Sequence, residues 1–128
     1  MGKTLIVDDD EDMRLLLRIM ISGANHGLEV VGQAASGEEA LVLRRNLDLD
    51  VIVLDQQMPG LTGVEAAERL LAEDPDLPIV LYSAFLDPDI RARAEQVGIR
   101  HCVTKGDVPT LIGALRELTG KNLDDLTE

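Results

Sequence analysis

Three apolar runs in this chain are continuous rather than alternating: Leu5-Ile6-Val7, Val51-Ile52-Val53-Leu54 and Ile79-Val80-Leu81-Tyr82. A strand wet on one side shows a period of two, so a run apolar at every position belongs to a strand covered on both faces. Covering both faces requires further layers, and the intervals between the runs supply them as helical patterns. Strand-like runs at residues 4–7, 30–34, 51–54, 79–82 and 100–104 alternate with five such helices. That alternation predicts an α/β fold, with a parallel sheet, right-handed crossovers and helices on both faces. The second run is diluted by Gly32 and Ala34, and the fifth mixes polar with apolar residues, so both are expected at edges.

Capping residues mark where the helices start. Ser36-Gly37-Glu38-Glu39 and Thr62-Gly63-Val64-Glu65 each set a hydroxyl three residues before a glutamate, so that each side chain can reach the other's backbone N–H. Asp87-Pro88 pairs an N-cap with a residue suited to the first helical position. The last helix carries Leu111, Leu115 and Leu118 on one face, with Ile112 beside them and Gly120 to end it. In the first helix Met13, Leu16, Leu17 and Met20 form the expected core stripe, leaving Leu15 and Ile19 on the other side.

A chain of 128 residues is the size of one domain, expected over residues 1–120 with a polar tail or linker start at 121–128. One cysteine, Cys102, excludes an internal disulfide and the usual structural zinc sets. Acids outnumber bases 24 to 12, a net charge of −12 that argues against binding nucleic acid and suits a cation or a basic protein partner. Apolar runs are too short for a membrane span, and the N-terminus does not read as a signal peptide, so a cytoplasmic location is expected.

Those acids are not evenly spread. "VDDDED", residues 7–12, packs five of them directly after the first strand. Some are natural helix caps, and Asp10 and Glu11 read best that way. In an open parallel sheet, however, functional groups gather at the carboxyl ends of the strands. Asp8 and Asp9 follow strand one, Asp55 follows strand three, Ser83 ends strand four and Lys105 ends strand five. Three carboxylates, a hydroxyl and an ammonium on one sheet edge make a phosphoryl-transfer set. A carboxylate can act as nucleophile, while a hard divalent cation and a lysine neutralise the transferring oxygens.

The segments "LIVDDDEDMRLLL", "VIVLDQQMPGLTG", "VLYSA" and "CVTKG", in this order and at these strand ends, closely resemble the receiver domain of bacterial two-component response regulators, over about residues 3–120. "EVVGQAASGEEAL" is most similar to receivers of the NarL type. The resemblance implies a (βα)5 doubly wound, flavodoxin-like three-layer sandwich with strand order 2-1-3-4-5. It implies that Asp55 accepts a phosphoryl group from a histidine kinase, and that Ser83 and Lys105 bind that group. Mg²⁺ (or Mn²⁺) would be held by Asp8, Asp9, Asp55 and the backbone carbonyl of Gln57. The kinase would dock near the first helix, at Met13, Leu15 and Ile19. The face built from the fourth helix, fifth strand and fifth helix would signal onward, with a homodimer as one possible outcome. Such a domain is a switch and not a turnover enzyme.

Two positions depart from the family's pattern. The switch aromatic usual three residues before the lysine is Cys102 here, which leaves Phe85 or His101 as its candidate replacement. The family's Lys-Pro is Lys105-Gly106, so a trans bond and a differently shaped loop are expected. The alternatives are a pseudo-receiver that binds partners without phosphorylation, and a haloacid-dehalogenase-like phosphatase with its nucleophile at Asp8.

Overall fold

The computed structural model describes residues 2–23 and 27–120. Among them the chain runs β1 (Gly2–Val7), α1 (Glu11–Ser22), β2 (Leu28–Ala34), α2 (Gly37–Asn46), β3 (Val51–Leu54), α3 (Gly63–Glu73), β4 (Ile79–Ser83), α4 (Pro88–Val97), β5 (His101–Thr104) and α5 (Val108–Thr119). The strands form one parallel sheet in the order β2-β1-β3-β4-β5, with β2 and β5 at the edges as expected. The tail expected at 121–128 lies outside the described residues. β1 and β2 begin two residues earlier than expected, and β4 extends one residue further, to Ser83.

The continuous apolar runs are explained by two cores. Leu5 and Val7 of β1 pack with Leu41 of α2, Ala67 and Leu70 of α3 and Ala94 of α4. Ile6, between them, points the other way and packs with Leu17 and Ile21 of α1 and Leu111 and Leu115 of α5. β1, β3 and β4 therefore keep their period of two, but both their faces are dry. Among the described residues no helix is long and apolar enough to cross a membrane.

The first helix departs from the expected stripe. Leu17 and Ile21 are buried and Met13 packs against them, at four-residue intervals on one face, whereas Leu16 is 46% exposed. Residue 16 sits about a quarter-turn away from that face, too far round for the sheet to cover it. Leu16 instead joins Leu15 and Ile19 as an exposed apolar group on the outer side of α1.

Every helix start is satisfied by a side chain. Asp10 caps α1, accepting from the N–H groups of Asp12 and Met13, and Ser36 caps α2 by accepting from Glu39. At Thr62 both halves of the box form: Glu65 N–H donates to Thr62 Oγ1 at 3.3 Å, and Thr62 N–H donates to Glu65 Oε1 at 2.9 Å. The bond from the Thr62 N–H, then that of the hydroxyl, holds the Glu65 carboxyl below its ordinary value. A lowered carboxyl stabilises the fold above its unfolded pKa and loses that contribution as pH falls through the folded one. Thr62→Ala is expected to lower the melting temperature by roughly 3–5 °C at neutral pH, read by thermal denaturation. The deficit should shrink in acid, where Glu65 protonates.

Candidate functional site

The site lies where β1, β3, β4 and β5 end. Hydrogen bonding of the sheet runs on past the strands here: Asp8 N–H donates to Ala34 O at 3.1 Å, Asp55 N–H to Val7 O at 3.0 Å and Lys105 N–H to Ser83 O at 3.0 Å. The backbones that carry the functional side chains are thus set by the sheet itself. Asp8, Asp55 and Ser83 are buried, and Asp9 is exposed beside them.

One ammonium pairs with two of three clustered carboxylates. Lys105 Nζ lies 3.0 Å from Asp8 Oδ2 and 3.1 Å from Asp55 Oδ2. Asp8, Asp9 and Asp55 each bring a carboxylate oxygen to within 4.8 Å of the others. Asp8 uses both its oxygens, since Oδ1 accepts from the Asp10 N–H at 2.9 Å. Asp55 does not: its Oδ1 and the hydroxyl of Ser83 are buried without a hydrogen-bond partner among the described residues. Leaving such atoms unpaired costs free energy that structural residues rarely tolerate, which makes them candidate binding groups.

The electrostatics agree. Burial is the largest influence on Asp8 and, with the negative charge of Asp55, it raises the Asp8 carboxyl above its ordinary value, despite the opposing bonds from Asp10 N–H and Lys105. For Lys105 burial alone pulls the ammonium down, but the hydrogen bond to Asp8 and the charge of Asp55 outweigh it and the net shift is upward. A single lysine thus does not neutralise the pocket. Three close carboxylates short of positive charge, offering oxygen atoms only, fit a hard divalent cation such as Mg²⁺.

Neighbouring residues hold this frame. Gln56, buried directly after Asp55, accepts from the first two N–H groups of α3: Gly63 N–H donates to Gln56 O at 3.0 Å and Val64 N–H to Gln56 Oε1 at 2.9 Å. Arg14 of α1 donates to the Asp8 carbonyl at 2.7 Å. Both were missed in the sequence, where a lone Gln or Arg has no spacing that separates it from surface residues. Gln57 is exposed in the loop after Asp55.

The switch candidates do not converge. Phe85 is 60% exposed beyond the end of β4, and half-buried Cys102 packs against the α2–α4 core, where burial raises its thiol pKa. His101 faces Glu117 of α5 across 3.7 Å. The expected trans geometry at Lys105-Gly106 is present, with Gly106 at φ 99°.

Comparison with known proteins gives the same picture. The family described as response regulator receiver domain matches residues 4–116. The chain is 36% identical over 119 residues to response regulator GacA of Pseudomonas aeruginosa, covering 92% of this chain and 55% of that protein. It is 30% identical to response regulator UvrY of Escherichia coli K12, covering 92% and 54%. The chain therefore spans about half the length of these curated relatives. Among solved structures, the response regulator domain of Thermotoga maritima CheB superposes with a TM-score of 0.84 at 28% identity, covering 92% of this chain and 96% of that one. A two-component response regulator of the LuxR family from Aurantimonas gives 0.87 at 28% identity, covering 92% and 84%. With this sheet order, this set of strand-end residues and a family match across almost the whole described chain, the protein belongs to the response regulator receiver domain family.

Proposed function

We propose that this domain is a phosphorylation-controlled switch in which Asp55 takes a phosphoryl group from a histidine kinase or a small phosphodonor. The supporting observation is the division of labour at Asp55, whose Oδ2 is held by Lys105 while Oδ1 is buried without a partner. Oδ1 attacks phosphorus, the bond from phosphorus to the donor's leaving atom breaks, and its electron pair departs with the donor. Lys105 stays beside the carboxylate to neutralise the incoming oxygens, and the Ser83 hydroxyl donates to one of them. Asp8, Asp9 and Asp55, with the carbonyl of Gln57, would hold Mg²⁺, which when bound supplies positive charge to the same oxygens. Asp8 suits the nucleophile's role less well because both its oxygens are already engaged, which disfavours the phosphatase reading.

The new charge and its acceptor oxygens bias a two-state equilibrium that α4, β5 and α5 display to a partner or a second copy. Leu15, Leu16 and Ile19 form the apolar surface on α1 that suits a docking kinase. Met13, expected at that surface, packs against the core instead. The length of the relatives supports a further proposal, that the domain controls an output segment in a longer protein.

Intact mass after incubation with Mg²⁺ and acetyl phosphate tests the reading. One phosphoryl group on the wild type and none on Asp55→Asn is the expected result. No adduct, together with no binding of beryllofluoride and Mg²⁺, would give the reading over to a pseudo-receiver.

A further inference from the structure

Lys105 must bring one ammonium to two carboxylates from the end of a side chain with four rotatable bonds, so the direction of its root matters. Two bonds fix that root, and both go to consecutive residues of β4. Lys105 N–H donates to the Ser83 carbonyl at 3.0 Å, and the next amide, Gly106 N–H, donates to the Tyr82 hydroxyl at 2.8 Å. The Tyr82 ring is itself immobilised, 2% exposed in the core beneath α1 and α5 with Val103 and Leu111. Its hydroxyl therefore acts as a fixed acceptor at the strand end. Gly106, at φ 99° with nothing within 4 Å of a built Cβ, turns the chain away directly after the amide that meets that acceptor. The peptide groups on both sides of the Lys105 Cα are thereby pinned, which restricts both backbone torsions of the lysine.

We propose that the Tyr82 hydroxyl is a positioning group for Lys105, clamping its backbone so that the ammonium rests between Asp8 and Asp55. This rests on the phosphoryl-transfer reading above for its consequence, though not for its geometry. Gly106 is exposed, so without the hydroxyl its N–H finds water and the fold stays stable, whereas the lysine loses its aim. A loosened ammonium also competes less for the carboxylates that would hold a metal.

Tyr82→Phe, which removes one oxygen and keeps the ring, separates this from a structural role. Expected are a Gly106 amide that exchanges at least tenfold faster, a displaced Lys105 Nζ resonance and phosphorylation by acetyl phosphate about fivefold slower at saturating Mg²⁺. The Mg²⁺ affinity, from calorimetric titration, should stay equal or become tighter. Phosphorylation at the wild-type rate, or a rate and a Mg²⁺ affinity that fall together with the melting temperature, would overturn the proposal. If the wild type itself takes no phosphoryl group, it is the transfer reading that fails, and the clamp is decided by amide exchange and the Nζ resonance. Changes in both would support it, and unchanged values would overturn it.

Discussion

Gly63→Ala is expected to lower the melting temperature by roughly 8 °C, although alanine is the better helix former. Gly63 is the first residue of α3, and its conformation is ordinary, so the constraint is space and not torsion. A Cβ built there collides with the carbonyl oxygen of Asp55 and comes within 2.9 Å of the Asp55 carbonyl carbon and of Gln56 Cα. All three are backbone atoms, and no rotamer change can move them aside. Relief requires α3 to back away from the sheet, which strains the bond from Gly63 N–H to Gln56 O, or requires Asp55 to shift. Overpacking of this kind costs on the order of 3 kcal/mol, against a propensity gain of at most about 1 kcal/mol. Gly113→Ala in α5 is the matched control, because nothing lies within 4 Å of its built Cβ, and it should melt at or above the wild-type temperature. Thermal denaturation of the two variants side by side checks the expectation. Phosphorylation of Gly63→Ala, measured below its melting temperature, should fall as well, since the atoms it pushes belong to Asp55, the residue proposed to accept the phosphoryl group.

The layered fold was legible because β1, β3 and β4 are buried on both faces and say so in unbroken apolar runs. The site was legible because a parallel sheet brings its strand ends together, so that Asp8, Asp55, Ser83 and Lys105 meet although Lys105 follows Asp55 by 50 positions in the chain and Asp8 by more. What periodicity could not give was which side of an almost wholly apolar helix faces in. Met13, Leu17 and Ile21 satisfy helical spacing, as do Met13, Leu16, Leu17 and Met20, and only the position of the sheet decides between them. Nor could spacing reveal Gln56 or the Tyr82–Gly106 bond, because each depends on one atom reaching a neighbouring loop. Phe85, two residues from Ser83, is the candidate rotor, and a ring that is 60% exposed is not something its position in the sequence could have shown.

Lys105→Met is expected to produce the largest effect within the site, and its pH dependence follows from the charges around it. The side chain is 20% exposed and pairs with Asp8 and Asp55, whose side chains are 2% and 5% exposed, so removing it strands two buried carboxylates. Breaking such a pair costs about 2–3 kcal/mol, toward the low side because solvent reaches the lysine, or roughly 8 °C in melting temperature at neutral pH. Asp8 already holds its proton more tightly when folded than the ordinary value of 3.8, and losing the lysine raises its pKa further. A raised carboxyl favours the fold below its unfolded pKa and loses that advantage as pH rises through the folded one. The variant should therefore come closest to the wild type in acid and lag most above the folded Asp8 pKa. On the alkaline side the order reverses its trend. The raised Lys105 pKa stabilises the wild type below 10.5 and is lost as pH climbs through the folded value, so the gap closes again there. Melting curves across pH, with and without Mg²⁺, check both limbs. A bound divalent cation can replace the missing charge, so Mg²⁺ should recover much of the lost stability and bind at least as tightly as to the wild type. Phosphorylation should not recover with it, remaining on the order of 100-fold slower, because the cation cannot occupy the lysine's position beside the transferring oxygens. A variant with wild-type stability at neutral pH, or one whose phosphorylation Mg²⁺ restores, would show that Lys105 does not carry the charge balance assigned to it.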